Sequence, residues 1–197
     1  MSKWTKSYFY IDWVLQEYIT NPLLIEKKKF HLRGYYIYYY NGMKGKKEGF
    51  ILNNHRIFTA KLPYQKGDYL NKDIHDSHYD STYKYMDFKP HLRRILKCKP
   101  EIIDNLEKQI VSLFRNILFV TNTKCFIENN SCYHLFASDI MITEDYQVKL
   151  IEINSSAGLP DFKDSKKKIN HSTKIFQEIL NNIVSKEFSN SYKKKKR

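Results

Sequence analysis

From Phe30 to Tyr40 apolar and aromatic residues follow one another almost without a break, and this density of Tyr and Ile predicts a long strand. Ahead of it, Ile11 to Ile19 alternates apolar and polar residues until Asn21-Pro22 ends the pattern, and it too reads as a strand. Gly42 to Lys47 reads as a loop. Phe50 to Leu52 and Arg56 to Ala60 flank Asn53-Asn54, a turn pair that predicts a hairpin. No period holds from Pro63 to Pro90, where Asp, His, Tyr and Lys are mixed, so this stretch reads as one long loop, functional or disordered. Pro100 suits the first turn of a helix, and Ile102, Ile103, Leu106, Ile110, Leu113, Phe114 and Ile117 recur at helical spacing behind it. Tyr133 to Asn154 predicts a hairpin. Ile175, Phe176, Ile179, Leu180 and Ile183 predict a closing amphipathic helix, followed by a basic tail over residues 191–197. No internal repeat, Gly-rich linker or second domain interrupts residues 1–190.

The second hairpin carries the candidate chemistry. Asp139 lies ahead of the polar break Thr143-Glu144-Asp145-Tyr146, while Glu152 and Asn154 lie on the returning strand. A two- or four-residue loop centred on Glu144-Asp145 sets Asp139 opposite Leu150 and diagonal to Glu152. All three polar side chains then point to one face, because strand side chains alternate with period two. Two carboxylates and an amide carbonyl are hard oxygen ligands of the kind magnesium prefers. The same residues also suit the solvent side of a half-exposed hairpin. Glu152 and Asn154 interrupt an apolar run and precede Ser155-Ser156-Ala157-Gly158, small residues past which a ligand can approach the backbone.

Composition narrows the class. The chain has 197 residues, 42% hydrophobic and 15% aromatic, enough for one sizeable core. Its three cysteines, Cys98, Cys125 and Cys132, form no metal-ligand pattern with histidines, which fits a reducing, cytoplasmic setting. The N-terminal residues lack the apolar run of a signal peptide, and no stretch approaches the length of a membrane span. A net charge of +13 calls for an acidic partner: nucleic acid, an anionic surface or an acidic protein tail. The charge sits in Lys27-Lys28-Lys29, Lys44 to Lys47, Lys166-Lys167-Lys168 and Lys193 to Arg197. Such runs also serve as plain solvated segments.

Trp13-Val14-Leu15-Gln16-Glu17-Tyr18-Ile19-Thr20-Asn21-Pro22-Leu23-Leu24, running into Lys29-Phe30-His31-Leu32-Arg33, resembles the tubulin-tyrosine ligase-like family. In that family a segment "W-V-x-Q-x-Y-I-x-N-P-L-L" leads to "K-F-D-x-R", and the domain ends with an Asp-bearing strand and "L-x-E-x-N", as Asp139, Glu152 and Asn154 do here. The resemblance runs from about Trp13 to the final helix. It implies an α+β chain forming the carboxy-terminal part of an ATP-grasp fold, mainly an antiparallel sheet flanked by helices. Residue by residue, it implies that Gln16, Glu17, Tyr18 and Ile19 form the hinge that holds adenine, on the free edge of a strand. Lys29 would face the phosphates, Arg33 the phosphates or the acyl substrate, and Arg56 would be the second arginine, as anion clamps. Asp139, Glu152 and Asn154 would hold magnesium between the ATP phosphates. The implied reaction phosphorylates a carboxylate on an acidic protein tail, typically tubulin's, and joins a free amino acid to it as an amide.

The pattern also departs from the family. His31 stands at the nucleotide-associated aspartate of "K-F-D-x-R". His75 and Asp76 align only loosely with the Thr and Asn of the family's "H-L-T-N", and with His78 they also allow a zinc reading or a merely solvated loop. The phosphate-covering upstream lobe of an ATP-grasp enzyme finds no room before Gln16, so the expectation is a separate chain that supplies the lobe, a truncated remnant, or a sequence that begins at an internal methionine. Three functions follow: an ATP-dependent ligase, a catalytically silent relative that binds acidic tails, and a basic nucleic-acid binder whose tyrosines stack on bases, the last without any known nucleic-acid motif.

Overall fold

The computed structural model describes residues 14–42, 44–52, 54–77, 84–87, 92–93, 97, 99–120, 130–158 and 166–181. Its strands are β1 (Leu24–Ile25), β2 (Lys28–Asn41), β3 (Lys46–Ile51), β4 (Asn54–Thr59), β5 (Lys84–Asp87), β6 (Cys132–Ile142) and β7 (Val148–Asn154). Its helices are α1 (Lys72–His75), α2 (Pro100–Val120) and α3 (Lys166–Ile179). The strands form one antiparallel sheet with the path β5-β4-β2-β6-β7, to which β1 and β3 add by pairing with β2.

β2 is the spine, and its two faces differ. Its even positions Phe30, Leu32 and Tyr36 are buried with Ile57, Ile140 and Ile142 against Ile103, Leu106, Ile110, Phe114 and Ile117 of α2. Pro100 starts that helix, where its missing N–H costs nothing. Gly34 lets α2 come close, since a Cβ there would stand 3.1 Å from Phe114 Cζ. The odd positions divide. Tyr35, Ile37 and Tyr39 join Leu52, Ala137, Ile175 and Ile179 in a second core under α3, whereas Lys29, His31 and Arg33 are polar and lie beyond that core.

Several sequence expectations change. Val14 to Ile19 forms no strand and Leu15 is fully exposed; Ile11 to Trp13 lie outside the described residues. Its alternation mimics a strand, but no neighbouring strand offers it a ladder. The strands on either side of Asn53-Asn54 do not pair with each other as a hairpin, and Asn53 itself lies outside the described residues. β3 and β4 run in the same direction along one edge of β2, Ile51 opposite Tyr36 and Arg56 opposite Arg33, so five steps on one side span three on the other. Pairing with β2 continues past Ile51, where Leu52 N donates to Tyr35 O at 2.9 Å. The stretch read as one long loop holds α1 and β5. α1 is one turn, capped by Asn71, whose side chain accepts from Asp73 N. In α3, Ile175 and Ile179 are buried while Phe176, and Leu180 just after the helix, are exposed; Ile183 lies outside the described residues, as does the basic tail. Cys132 is disulfide-bonded, which neither the odd cysteine count nor the expected reducing setting suggested.

Phe114 lies 4.9 Å from the Tyr36 ring, which stacks on Phe136 at 5.0 Å. Phe114→Ala is expected to cost about 3–5 kcal/mol in urea unfolding, as a lost core aromatic does. Burial pushes the Tyr36 phenol up to about 12. The unfolded chain therefore loses this proton near pH 10 while the fold keeps it, and stability falls from pH 10 towards 12. Tyr36→Phe should flatten that fall by up to about 1.4 kcal/mol per pH unit, read from unfolding midpoints between pH 9.5 and 11.

Candidate functional site

The polar half of the odd face is organised in rows across the strands. Arg33 pairs with Arg56 of β4 on one side and with Asp139 of β6 on the other, and Asp139 pairs with Glu152 of β7. Arg56, Arg33, Asp139 and Glu152 thus form one line across four strands. Asp139 faces Glu152 directly, not Leu150 as the sequence suggested, because the register shifts between Asp139 and Ile140 and leaves Ile151 as an extra residue. Asn154, opposite Ala137, lies one row along on the same face and donates from Nδ2 to Glu152 Oε1 at 3.0 Å.

Arg33 grips Asp139 in a fork: Nε donates to Oδ1 and Nη2 to Oδ2, both at 2.7 Å. The carboxylate is almost fully buried. Its hydrogen bonds hold the Arg33 guanidinium above its ordinary value, against the opposing effect of burial. Phe58 is a shared platform. The His31 ring stacks on it at 4.7 Å and 6°, and the Arg33 and Arg56 guanidinium carbons lie 5.1 and 4.5 Å from its centroid. His31 Nδ1 meets Ser77 Oγ at 2.5 Å, and Nε2 lies 3.9 Å from Asp139 Oδ1. Arg56 Nη1 donates to Gly158 O at 3.2 Å, and a Cβ on Gly158 would come within 3.1 Å of Arg33 Nη1. The small residues after Asn154 therefore make room for the protein's own arginines.

Beside this row lies a cleft of about 610 Å³. Gln16 to Asn21 form one wall, and Met141 with Lys149, Leu150 and Ile151 another, with Lys29 at the junction. The irregular 14–21 segment is tied down by Gln16 Nε2 donating to the bulged Ile151 carbonyl at 2.8 Å, and by Glu144 N donating to Asn21 O at 2.9 Å. From the opposite face Gln109 of α2 clamps the β6–β7 turn, donating to Tyr146 O and accepting from Val148 N, each at 2.9 Å. Gln16, Glu17, Tyr18, Ile19 and Lys29 thus meet at one cleft, whereas His31, Arg33 and Arg56 stand in the adjoining rows of the same sheet face. Lys149 also lines the cleft and was not singled out from sequence, although its alternation with Ile151 on β7 was visible.

Asp139, Glu152 and Asn154 share one face as oxygen-bearing side chains, a donor set of the hard type that suits magnesium. Both Asp139 oxygens already engage Arg33. Among the described residues no group of three His, Cys, Asp or Glu side chains converges as a metal site. His75 is held in an aromatic cluster, not loosely solvated, and His78 lies outside the described residues. Sequence reading also missed Phe58. Its signal was present, because Phe58 follows Arg56 by two in a strand and so shares its face.

An open, mainly antiparallel sheet with few helices, charged across one half-face and bordered by a deep cleft, is a mixed α+β architecture consistent with a partial ATP-grasp-like fold. The chain belongs to the tubulin-tyrosine ligase family, whose model matches residues 6–42 and 52–195. It is 24% identical over 189 residues to a probable tubulin–tyrosine ligase of Schizosaccharomyces pombe, covering 93% of this chain and 45% of that protein. It is 26% identical to the probable tubulin–tyrosine ligase PBY1 of Saccharomyces cerevisiae, covering 92% and 25%. With the probable tubulin polyglutamylase TTLL9 of Bos taurus it shares 28% identity, covering 75% and 34%. The chain therefore spans less than half the length of each of these relatives. Among the described residues no helix is long and apolar enough to cross a membrane.

Asp139→Asn weakens one side of a buried fork and leaves the Arg33 guanidinium poorly compensated. It is expected to cost about 3 kcal/mol in urea unfolding, and Arg33→Met combined with Asp139→Leu should recover much of that loss.

Proposed function

We propose that this chain carries the nucleotide- and metal-facing half of an ATP-dependent carboxylate–amine ligase that joins an amino acid to the acidic tail of a protein, tubulin in the first instance. The observation that carries this reading is the line Arg56–Arg33–Asp139–Glu152 beside the cleft of Gln16 to Asn21, in a chain of this family. Gln16 to Ile19 would border the adenine and Lys29 the phosphates. Asp139, Glu152 and Asn154 would hold magnesium, and Arg33 and Arg56 would orient the anionic end of the acceptor. ATP with magnesium, when bound, would supply the γ-phosphoryl group to the acceptor carboxylate and leave ADP, and the amine of the amino acid would then displace phosphate from the acyl carbon to form the amide. The protein's own part is positioning and charge stabilisation, with the aromatic platform of Phe58 keeping both guanidinium planes in place. His31, which the resemblance sets at the family's nucleotide-associated aspartate, stands in the row beside this cleft and would bring a neutral or cationic group near the nucleotide.

The net charge of +13 also favours a second reading, a silent relative that holds acidic tails without turnover. Calorimetric titration with a non-hydrolysable ATP analogue and magnesium separates the two. Binding by the parent chain, weakened about tenfold or more in Glu152→Ala and in Asp139→Ala variants that remain folded, supports the ligase reading. A parent chain that binds no analogue but binds polyglutamate peptides in a salt-sensitive manner overturns it in favour of the second.

A further inference from the structure

Lys29 is a cation with an uncommon setting. It is 7% exposed, and its ammonium donates to Tyr18 Oη at 3.2 Å while lying 4.5 Å from the centroid of the same ring. Burial lowers its proton affinity, and the charge of Asp76 partly opposes this. An ammonium can only donate hydrogen bonds, so the Tyr18 oxygen must accept from it. The phenol proton then needs an acceptor elsewhere. Burial first, and the neighbouring Tyr64 and Tyr69 next, push the Tyr18 phenol up to about 12, so the proton stays in place at any ordinary pH. Two neighbours stand within reach of it: Tyr64, whose hydrogen bond to Tyr18 adds to the upward push on the phenol, and His75 Nδ1, 2.5 Å from Tyr18 Oη.

We propose that His75 is a positioning residue for Lys29, acting through the hydroxyl of Tyr18. The relay has a direction: Lys29 donates to Tyr18, and Tyr18 donates to the unprotonated Nδ1 of His75. The imidazole is held in place from several sides. Tyr64 stands edge-on to it at 5.6 Å, Tyr69 tilts over it at 5.6 Å and Tyr18 meets it at 5.7 Å. Tyr64 is itself anchored, its hydroxyl donating to Thr20 O at 3.0 Å. α1 carries the histidine at its last position, and that turn is fastened by Lys61 Nζ to Asp73 Oδ2 at 2.9 Å and by Leu62 N to Asp73 O at 2.9 Å. The inference rests on the proposed role of Lys29 at the phosphate end of the cleft only for its catalytic meaning; the relay itself is read from the contacts.

The test follows the Lys29 titration by NMR in lysine-labelled protein, assigned by loss of its signal in Lys29→Gln. His75→Phe keeps an aromatic ring but removes the acceptor. It should lower the Lys29 midpoint by about one unit, as should Tyr18→Phe, with little further shift in the double variant. His75→Gln, which restores an acceptor oxygen, should return most of the shift and covers the case in which His75→Phe does not fold. An unchanged Lys29 midpoint in a folded His75 variant overturns the proposal. Affinity for the magnesium–ATP analogue is measured on the same samples, and the relay predicts a roughly three- to tenfold loss in His75→Phe, restored in His75→Gln. If the parent chain binds no analogue while the coupled Lys29 shifts persist, the ligase reading fails and the relay stands.

Discussion

β2 is bonded along both edges and buried on both faces, and that constraint organises everything else in the molecule. A strand so enclosed gives each polar side chain a choice between a partner and a heavy desolvation cost. On the even face Phe30, Leu32 and Tyr36 pack into the α2 core, and the buried His55 of β4 sits beside Gly34 and Phe114. On the odd face α3 covers only the stretch from Tyr35 onward, so Lys29, His31 and Arg33 must be satisfied by neighbours in the sheet and in the loops beside it. Asp139 answers Arg33, Ser77 answers His31, and Tyr18 answers Lys29. The site is the set of answers to one strand's buried charges.

Two irregularities bring those answers into line. The surplus residues between β3 and β4 set Arg56 opposite Arg33, and the extra residue at Ile151 sets Glu152 opposite Asp139. Without the second shift, the strict alternation of β7 would turn Glu152 to the other face, because one residue of slip reverses a strand. The bulge also frees the Ile151 carbonyl for Gln16 and so fixes one wall of the cleft. α2, on the opposite face, steadies the same hairpin through Gln109, linking the core to the site.

Much of this was legible beforehand. The tyrosine-rich run of β2, the spaced apolar residues of α2 and the hairpin of Asp139 and Glu152 follow from periodicity, which is a local property of the chain. Asn53-Asn54 suggests a turn because turns and irregularities break a strand with the same residue types, and only the choice of pairing partner, here β2 for both β3 and β4, separates them. The alternation of Val14 to Ile19 was read as a strand because the pattern is the same whether or not a neighbour supplies a ladder. α1 was missed because a single turn is too short to show a period, although its Asn71 cap was visible.

By itself the sequence determined which residues alternate, which recur at helical spacing, and which polar types stand at the places a family of ligases uses. These depend on neighbours a few positions away. Tertiary structure alone decided that Arg33 would be paired with Asp139, 106 residues distant, and that Tyr18 would meet His75, 57 residues on. Those pairings depend on which strands lie side by side and on loops laid against the sheet. They minimise the cost of burying β2's charges, and that cost exists only once the strand is enclosed.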